Sequence, residues 1–568
     1  TTDATRLAQF SSSENVYAAV DPTGLVTAGP IPGEAAIMAR FMERFAVAPI
    51  VIPLPGAVPG EVYDRLPRRN FIDGHVWAKL RQLGLTPSDP AGDATFHRRA
   101  FLDVIGRLPT PAETRAFLAS TDPKKREQLV DALLERPEYA DFWANKWTDL
   151  LRPNPYHVGI KATYNVDQWL RQAFRENMPY DRFVREIVTA KGSTFTNGAA
   201  VFYRNRREPD ELTTMVSQLF LGVRLDCAKC HHHPFEVWGQ DDFYSFAAFF
   251  GRIGRKGTGI SAPISGGEEA IHLGTGTGRR NGSTVKHPLT GKEMTPTPLL
   301  GTPLDIAPEK DPRDVLADWV TAPENPYFGK VIVNRVWADL MGRGIVDPVD
   351  DLRATNPPSN PELLDALAVD FRKNGNDLKK LIRTICTSHA YGLSTLPNDR
   401  NAADLRNYSR HYRQRLRAEV LLDMVSDVTG VPETFEAMPP GSRAIEVWTA
   451  RSQSAFLDSF GRPDPNQDPP CERTPDTTVV QALHLMNAPN LHRKVTSDAG
   501  RCAELAKSAK TPREIVEELY LLAYCRLPGD AERAAAVKRF EKPGADRRKA
   551  TEDLLWALIN TPEFVFND

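Results

Sequence analysis

No run of 18 apolar residues occurs in the 568-residue chain, so nothing in it is expected to span a membrane. Charge of one sign is lacking too. Lysine plus arginine number 71 and aspartate plus glutamate 73, a net charge of −2, which argues against a chain-wide nucleic-acid footprint and against nucleic acid as a partner. Cysteine is scarce. The six, Cys227, Cys230, Cys386, Cys471, Cys502 and Cys525, are too few for a disulfide scaffold. The first residues, Thr1-Thr2-Asp3-Ala4, lack a basic stretch and an apolar stretch, so the sequence is expected to be a mature or trimmed product. With 41% hydrophobic and 25% charged residues, the composition is that of a soluble globular protein. Its length predicts three or four domains at about 150 residues each.

The chain is expected to be mainly α. A multi-domain helical body carries a short N-terminal β segment and a glycine-rich insertion of loops and β-hairpins. Residues 1–60 hold short apolar runs such as Val16–Val20 and Gly33–Met38, punctuated by Pro22, Gly24 and Pro30-Ile31-Pro32. Their order resembles the later strands of a bacterial immunoglobulin-like repeat, but a full sandwich needs about 100 residues. The segment is therefore expected to be a remnant of that fold, suited to display or tethering. Residues 65–250 and 306–568 carry helical periodicity. Leu212, Met215, Val216, Leu219 and Phe220 form one apolar face, and Val331, Ile332, Val336, Leu340 and Met341 form another, closed by Gly342. Capping boxes are predicted at Ser359–Glu362 and Thr511–Glu514. Residues 251–305 are rich in turns: of the 37 glycines, 12 fall within 251–301. The string Gly274–Gly278 is expected to lack the flanking strand and helix that a phosphate cradle needs.

The helix through Phe220 delivers the chain to Cys227-Ala228-Lys229-Cys230-His231, a C-x-x-C-H string. This is the attachment motif for c-type haem: two thiols three positions apart bond the porphyrin, and the next histidine is the axial iron ligand. Alternatives are a zinc site using His231-His232-His233 and a bare thiol pair. The first lacks a distant second ligand pair, and the second lacks a βαβ context. A sixth iron ligand would come from elsewhere, with His157, Tyr203, Met215, His389, His411, His484 and His492 as candidates. Haem c is attached outside the cytoplasm, so the protein is expected to be periplasmic or otherwise exported, with its signal peptide absent from this sequence. The remaining four cysteines then allow three pairings, or are buried thiols.

The string Thr214–Glu236, which contains the motif, resembles the planctomycete-type cytochrome family. Phe71-Ile72-Asp73 and Arg98–Pro111 are similar to that family's opening. Val331–Trp337, Gly342–Asp351, Asn356–Ser359, Phe460–Pro463, Cys471–Arg473 and Gln481–Asn487 resemble the planctomycete-specific C-terminal domain that follows it. The resemblance covers about residues 65–568. It implies an exported, largely helical protein with one covalent haem c, from bacteria that degrade complex polysaccharides, and so a carbohydrate substrate by association. It also implies a His-x-His pattern, matched by His231 and His233.

Some 500 residues around one haem exceed what an electron carrier needs, which favours a haem-dependent enzyme acting on carbohydrate, by redox or redox-neutral chemistry at a sugar carbon. His233, Asp351, Glu419, Glu472 and Asp210 are acid–base candidates. Arg335, Arg353, Arg415 and Arg473 are candidates for anionic groups on a sugar. Arg335, Glu472 and Arg473 also lie in the family-like strings. Two alternatives are an electron-transfer or binding module that docks a redox partner protein, and a hydrolase with a structural haem using Glu419 and Asp423, four apart on one helix face.

Overall fold

The structure is a computed structural model, and it describes residues 3–42, 44–257, 267–275, 282–436, 438–449, 451–464 and 478–568. Helix accounts for 49% of it and strand for 9%. Two compact units are present, and each is discontinuous in sequence. The first comprises residues 1–89, 156–169 and 176–412, the second 90–155, 170–175 and 413–568.

The first unit opens with five strands: β1 (Gln9–Ser12), β2 (Ala18–Val20), β3 (Val26–Ala28), β4 (Gly33–Phe41) and β5 (Arg44–Ile52). They form an antiparallel sheet in the order β1-β4-β5 and a separate β2-β3 hairpin. The buried core they share is small: Ala18, Ala35 and Ile37, with Tyr17, Val20, Val26, Ile50 and Ile52 packed against it. The expected immunoglobulin-like remnant is therefore not there. Such a sandwich pairs two sheets of about seven strands in all, whereas here three strands make the sheet and the other two are three residues long. The apolar runs were strands, but nothing in their spacing fixed how they pair.

The helical faces fold as their periodicity dictates. In the helix Phe328–Met341, Val331, Ile332, Val336, Leu340 and Met341 are buried, and Gly342 ends it in the left-handed region at φ 86°. Asn360, one residue past the expected Ser359, caps the helix Pro361–Lys373 by accepting from the Leu363 N–H at 3.1 Å, so the Ser359–Glu362 capping box does not form. The glycine-rich region contributes β7 (Ile253–Gly257) and β8 (Glu269–Leu273), which pair antiparallel and join β6 (Gly192–Ser193) in the order β6-β8-β7. A strand thus does precede Gly274, against expectation, while residues 276–281 lie outside the described residues.

In the second unit, the Thr511 capping box is formed, with the Glu514 N–H donating to Thr511 Oγ1 at 3.3 Å and the Thr511 N–H donating back to the Glu514 carboxylate. The strands β9 (Gln414–Arg415) and β10 (Phe566–Asn567) pair antiparallel. Arg98, buried, donates to the main-chain oxygens of Phe564 and Phe566, which ties the C-terminal residues to the helix Asp93–Ile105. Cys502 and Cys525 are buried thiols here, and Cys386 is one in the first unit; Cys471 lies outside the described residues.

Candidate functional site

The helix Pro209–Val216 continues as one π-helical stretch, Ser217–Leu221, and stops at Gly222 (φ 64°). Local π geometry re-aims the chain that follows. Gly222 is required twice over. Its φ is left-handed, and a Cβ there would lie 2.5 Å from Leu352 and 3.0 Å from Val331. Its carbonyl accepts from the Leu352 N–H at 2.8 Å, so the approach to the C-x-x-C-H string is fastened to the loop after residue 350. A second fastening is Asp350, which accepts from Gln218 Nε2 at 2.6 Å and pairs with Arg224.

Asp226–Lys229 is a single 3₁₀ turn. Cys227 lies within this turn and Cys230 follows it as the C-cap; both are exposed, while Ala228 between them is fully buried. Thr214 Oγ1 donates to Asp226 at 2.9 Å, Lys229 pairs with Asp210, and Gln240 Nε2 donates to the Lys229 carbonyl at 3.0 Å. His231 is exposed, and its Nδ1 lies 2.7 Å from the His232 carbonyl. That contact makes Nδ1 the protonated nitrogen and leaves the Nε2 lone pair outward. Two exposed thiols and the exposed His231 imidazole thus lie within five consecutive residues, a donor set that fits covalent haem attachment. The zinc alternative gains nothing: among the described residues no three His, Cys, Asp or Glu side chains converge on a metal position. His233 is turned inward and buried, with Nδ1 accepting from the Phe235 N–H at 3.1 Å.

Behind the turn lies a cluster of ionisable groups. Burial lowers the pKa of His233, with the positive charges of Arg353, His231 and His232 acting in the same direction. Glu236 accepts from the Ala354 N–H at 2.8 Å, and burial raises its pKa above the usual carboxylate range. Asp351 is also buried and its pKa is also raised, by burial first and by the charge of Asp350 in addition. Arg353 lies 3.4 Å from Asp351 and stands over the Phe235 ring at 5.3 Å. Tyr327 is pushed up to about 12 by burial and by the Glu236 charge. A buried imidazole whose pKa is lowered and two carboxyls whose pKa is raised, all within electrostatic reach of Arg353, are suited to general acid–base chemistry.

The structure places His233 and Asp351 each within electrostatic reach of Arg353. Glu236, Tyr327 and Asp350 complete the group without having been chosen as acid–base candidates. A glutamate five residues past the axial histidine was in the sequence, but its partner, Ala354, is 118 residues away. Arg335 is half-buried on the helix Phe328–Met341, within electrostatic reach of Tyr180. Its neighbour Asn334 is committed to the fold, donating to the Val346 and Val349 carbonyls at 2.8 and 3.1 Å. Glu472 and Arg473 lie outside the described residues. Tyr203 and Met215 are core residues, and the Tyr203 hydroxyl donates to the Val188 carbonyl.

Glu419 belongs to the second unit, where it is buried and lines a cavity of about 70 Å³ with Asn145, Asp149, Arg152 and Trp448. Asp423, one turn on, accepts from the Ala444 N–H at 2.6 Å and the Ile445 N–H at 3.2 Å. Asp423 is therefore a backbone tie, which removes the support for a Glu419–Asp423 hydrolytic pair.

The family model described as PSCyt2, protein of unknown function (DUF1549), matches residues 71–255. A second, PSD1, protein of unknown function (DUF1553), matches residues 312–540. No curated protein and no solved structure matches the chain. No described helix is long and apolar enough to cross a membrane. From residue 71 to residue 540, with the C-x-x-C-H turn inside the first match, the chain carries the planctomycete-type domain pair.

Proposed function

We propose that the chain is an exported c-type cytochrome protein that holds one haem through Cys227, Cys230 and His231 and acts as a haem-dependent enzyme on carbohydrate. What supports the haem assignment is the turn at the motif, with both thiols exposed, Ala228 between them buried, and His231 Nδ1 2.7 Å from the His232 carbonyl. Haem bound there supplies electron exchange with a redox partner protein. The chain's own residues supply the proton chemistry. Glu236 and Asp351 keep their protons to a higher pH than ordinary carboxyls, and Arg353 is placed to hold an oxygen-rich group beside them. This cluster favours catalysis over simple electron carriage, which needs no acid–base groups. The carbohydrate substrate is taken from the family resemblance alone.

The test is to mature the full chain in a periplasm equipped for haem c attachment, then record intact mass and optical spectra, oxidised and reduced, with and without carbon monoxide. One covalent haem is expected, lost in Cys227→Ala/Cys230→Ala with unchanged far-ultraviolet circular dichroism. No covalent haem in the wild type would overturn the proposal. A reduced spectrum that carbon monoxide does not move would overturn the enzymatic part and leave electron transfer.

A further inference from the structure

The first unit contains a cavity of about 630 Å³, within the range of small-molecule sites, about 300–1,000 Å³. The N-terminal sheet lines it through Ser11 and Ser12 of β1, Glu34–Ala36 of β4 and Pro49–Val51 of β5. The chain beyond the helix Phe328–Met341 lines it through Arg343, Arg353, Asn356 and Pro357, joined by Arg406. Phe235, from the motif's own loop, lines it too. The sheet touches that same loop, as Arg40 donates to the Pro234 carbonyl at 3.4 Å.

Charge in the lining is balanced in number but not in placement. Four basic and four acidic side chains line the cavity. Lys79 pairs with Glu34, both nearly buried, and Arg343 lies 3.1 Å from Asp347. Two carboxylates and two guanidiniums remain. The carboxylates, Glu14 and Glu362, are both exposed to bulk water, which screens them. The guanidiniums, Arg353 and Arg406, are partly buried. Among the described residues Arg406 has no carboxylate partner, and its one side-chain hydrogen bond goes to the Pro357 carbonyl at 3.3 Å. Arg353 Nε lies 3.4 Å from Asp351 and its guanidinium carbon stands over the Phe235 ring at 5.3 Å, while its two terminal nitrogens have no hydrogen bond among the described residues. Pro357 is four residues along the loop from Arg353, so one loop brings both guanidiniums to the cavity. Guanidinium donors that the fold has not used are matched in geometry to the oxygens of a carboxylate or a sulfate. A lone oxyanion would fill only a small part of this volume, so the anion is a substituent of a larger molecule. Ser11 and Gln82 in the same lining carry a hydroxyl and an amide, which donate and accept as the remaining sugar hydroxyls require.

We infer that this cavity takes a saccharide by an oxyanion substituent, a uronate carboxylate or a sulfate ester, held by Arg353 and Arg406. The inference rests on the carbohydrate reading above and names the substrate class within it. The full chain, matured for haem c, would be titrated calorimetrically with tetragalacturonate and tetramannuronate, with sulfated galactotetraose and sulfated xylotetraose, and with neutral galactotetraose and cellotetraose, each to about 10 mM. Saturable binding of at least one anionic tetrasaccharide is expected, about tenfold or more tighter than the neutral ones, and the one that binds separates carboxylate from sulfate. Arg353→Gln and Arg406→Gln should each weaken that binding about tenfold or more, with unchanged far-ultraviolet circular dichroism. Glu14→Gln with Glu362→Gln, at exposed positions that the fold tolerates, reads the same site independently of those two: removing both carboxylates should tighten anionic binding about threefold and leave the neutral sugars unmoved. Neutral sugars bound as tightly as the anionic ones would overturn the anion assignment and leave the carbohydrate reading standing. Anionic binding that none of these variants moves would overturn the cavity assignment and likewise leave that reading. No binding by any probe would overturn the inference together with the carbohydrate reading.

Discussion

Two regions of the chain bury carboxylates, and they use them differently. In the second unit Asp423 accepts two backbone N–H groups, and Arg443 lies 3.5 Å from it while also gripping Asp427 through both oxygens at 3.0 Å. Every contact there closes on main chain or on a fixed ion pair, so the group holds the 3₁₀ turn Ala444–Glu446 to the helix Ala418–Thr429. In the first unit Glu236 accepts from the Ala354 and Val237 N–H groups and Asp351 feels the charges of Arg353 and Arg224, but the neighbouring turn exposes two thiols and an imidazole. Burial raises the carboxyl pKa in both places. A raised pKa is therefore no guide to function by itself; what separates the regions is whether the surrounding groups are consumed by the fold.

The largest effect should come from breaking the structural carboxylate. Asp423→Ala strands two buried N–H groups and weakens the hold on Arg443, and should destabilise by about 3 kcal/mol or more, read as a lower urea midpoint. Cys227→Ser with Cys230→Ser should stay within about 0.5 kcal/mol of the wild type, since both side chains are exposed, while abolishing any covalent haem. Equal losses in the two variants would erase the contrast.

The pH dependence of the second unit sharpens it further. His97 is stacked on Phe117 at 4.5 Å and meets Phe101 edge-on at 4.8 Å; neither ring nitrogen has a hydrogen bond. Burial lowers its pKa to about 4, with Glu113 and Asp93 opposing. The unfolded chain binds the proton first, so stability falls as pH drops from about 6.5 towards 4, by up to about 3 kcal/mol. Asp423 acts in the opposite sense. Its pKa is raised to about 7 by burial, so the folded state binds the proton first, and stability falls as pH rises from about 4 through 7. His97→Phe should remove the acid-side loss and Asp423→Asn the neutral-side loss. Urea midpoints across pH 4 to 7.5 would check both, and a wild-type profile that matches both variants would refute them.

Much of this fold was legible in the sequence because its signals are local. Thr511 and Gly342 mark helix ends within a turn of where they act, whereas the cap expected at Ser359 falls one residue on, at Asn360. The C-x-x-C-H string is likewise local, five consecutive residues at one turn with both thiols exposed. The acid–base cluster was only half legible. Gly222 with Leu352, Gln218 with Asp350, and Glu236 with Ala354 join residues 118 to 132 apart, and no periodicity encodes such pairings. The N-terminal strands were legible as strands. Their assembly was not, because alternation and turn residues fix which residues face inward but not which strand is the neighbour.

The smallest effect belongs to Glu236, and it tests whether the motif's cluster is free to do chemistry. In Glu236→Gln the amide oxygen still accepts from the Ala354 N–H, so at pH 4.5 the midpoint should move by about 0.5 kcal/mol or less. Once its carboxyl ionises the wild type carries a charge that burial disfavours, and the variant does not. Because the folded-state pKa is raised, wild-type stability should decline relative to Glu236→Gln as pH climbs through the carboxyl's titration, the same sign as Asp423 but smaller, since Glu236 is only half-buried. A carboxyl that the fold scarcely needs, whose pKa burial raises and which lies within electrostatic reach of Arg353, is what a proton donor requires. If Glu236→Gln instead costs as much as Asp423→Ala, Glu236 is a backbone tie as well, and the distinction between the two regions disappears.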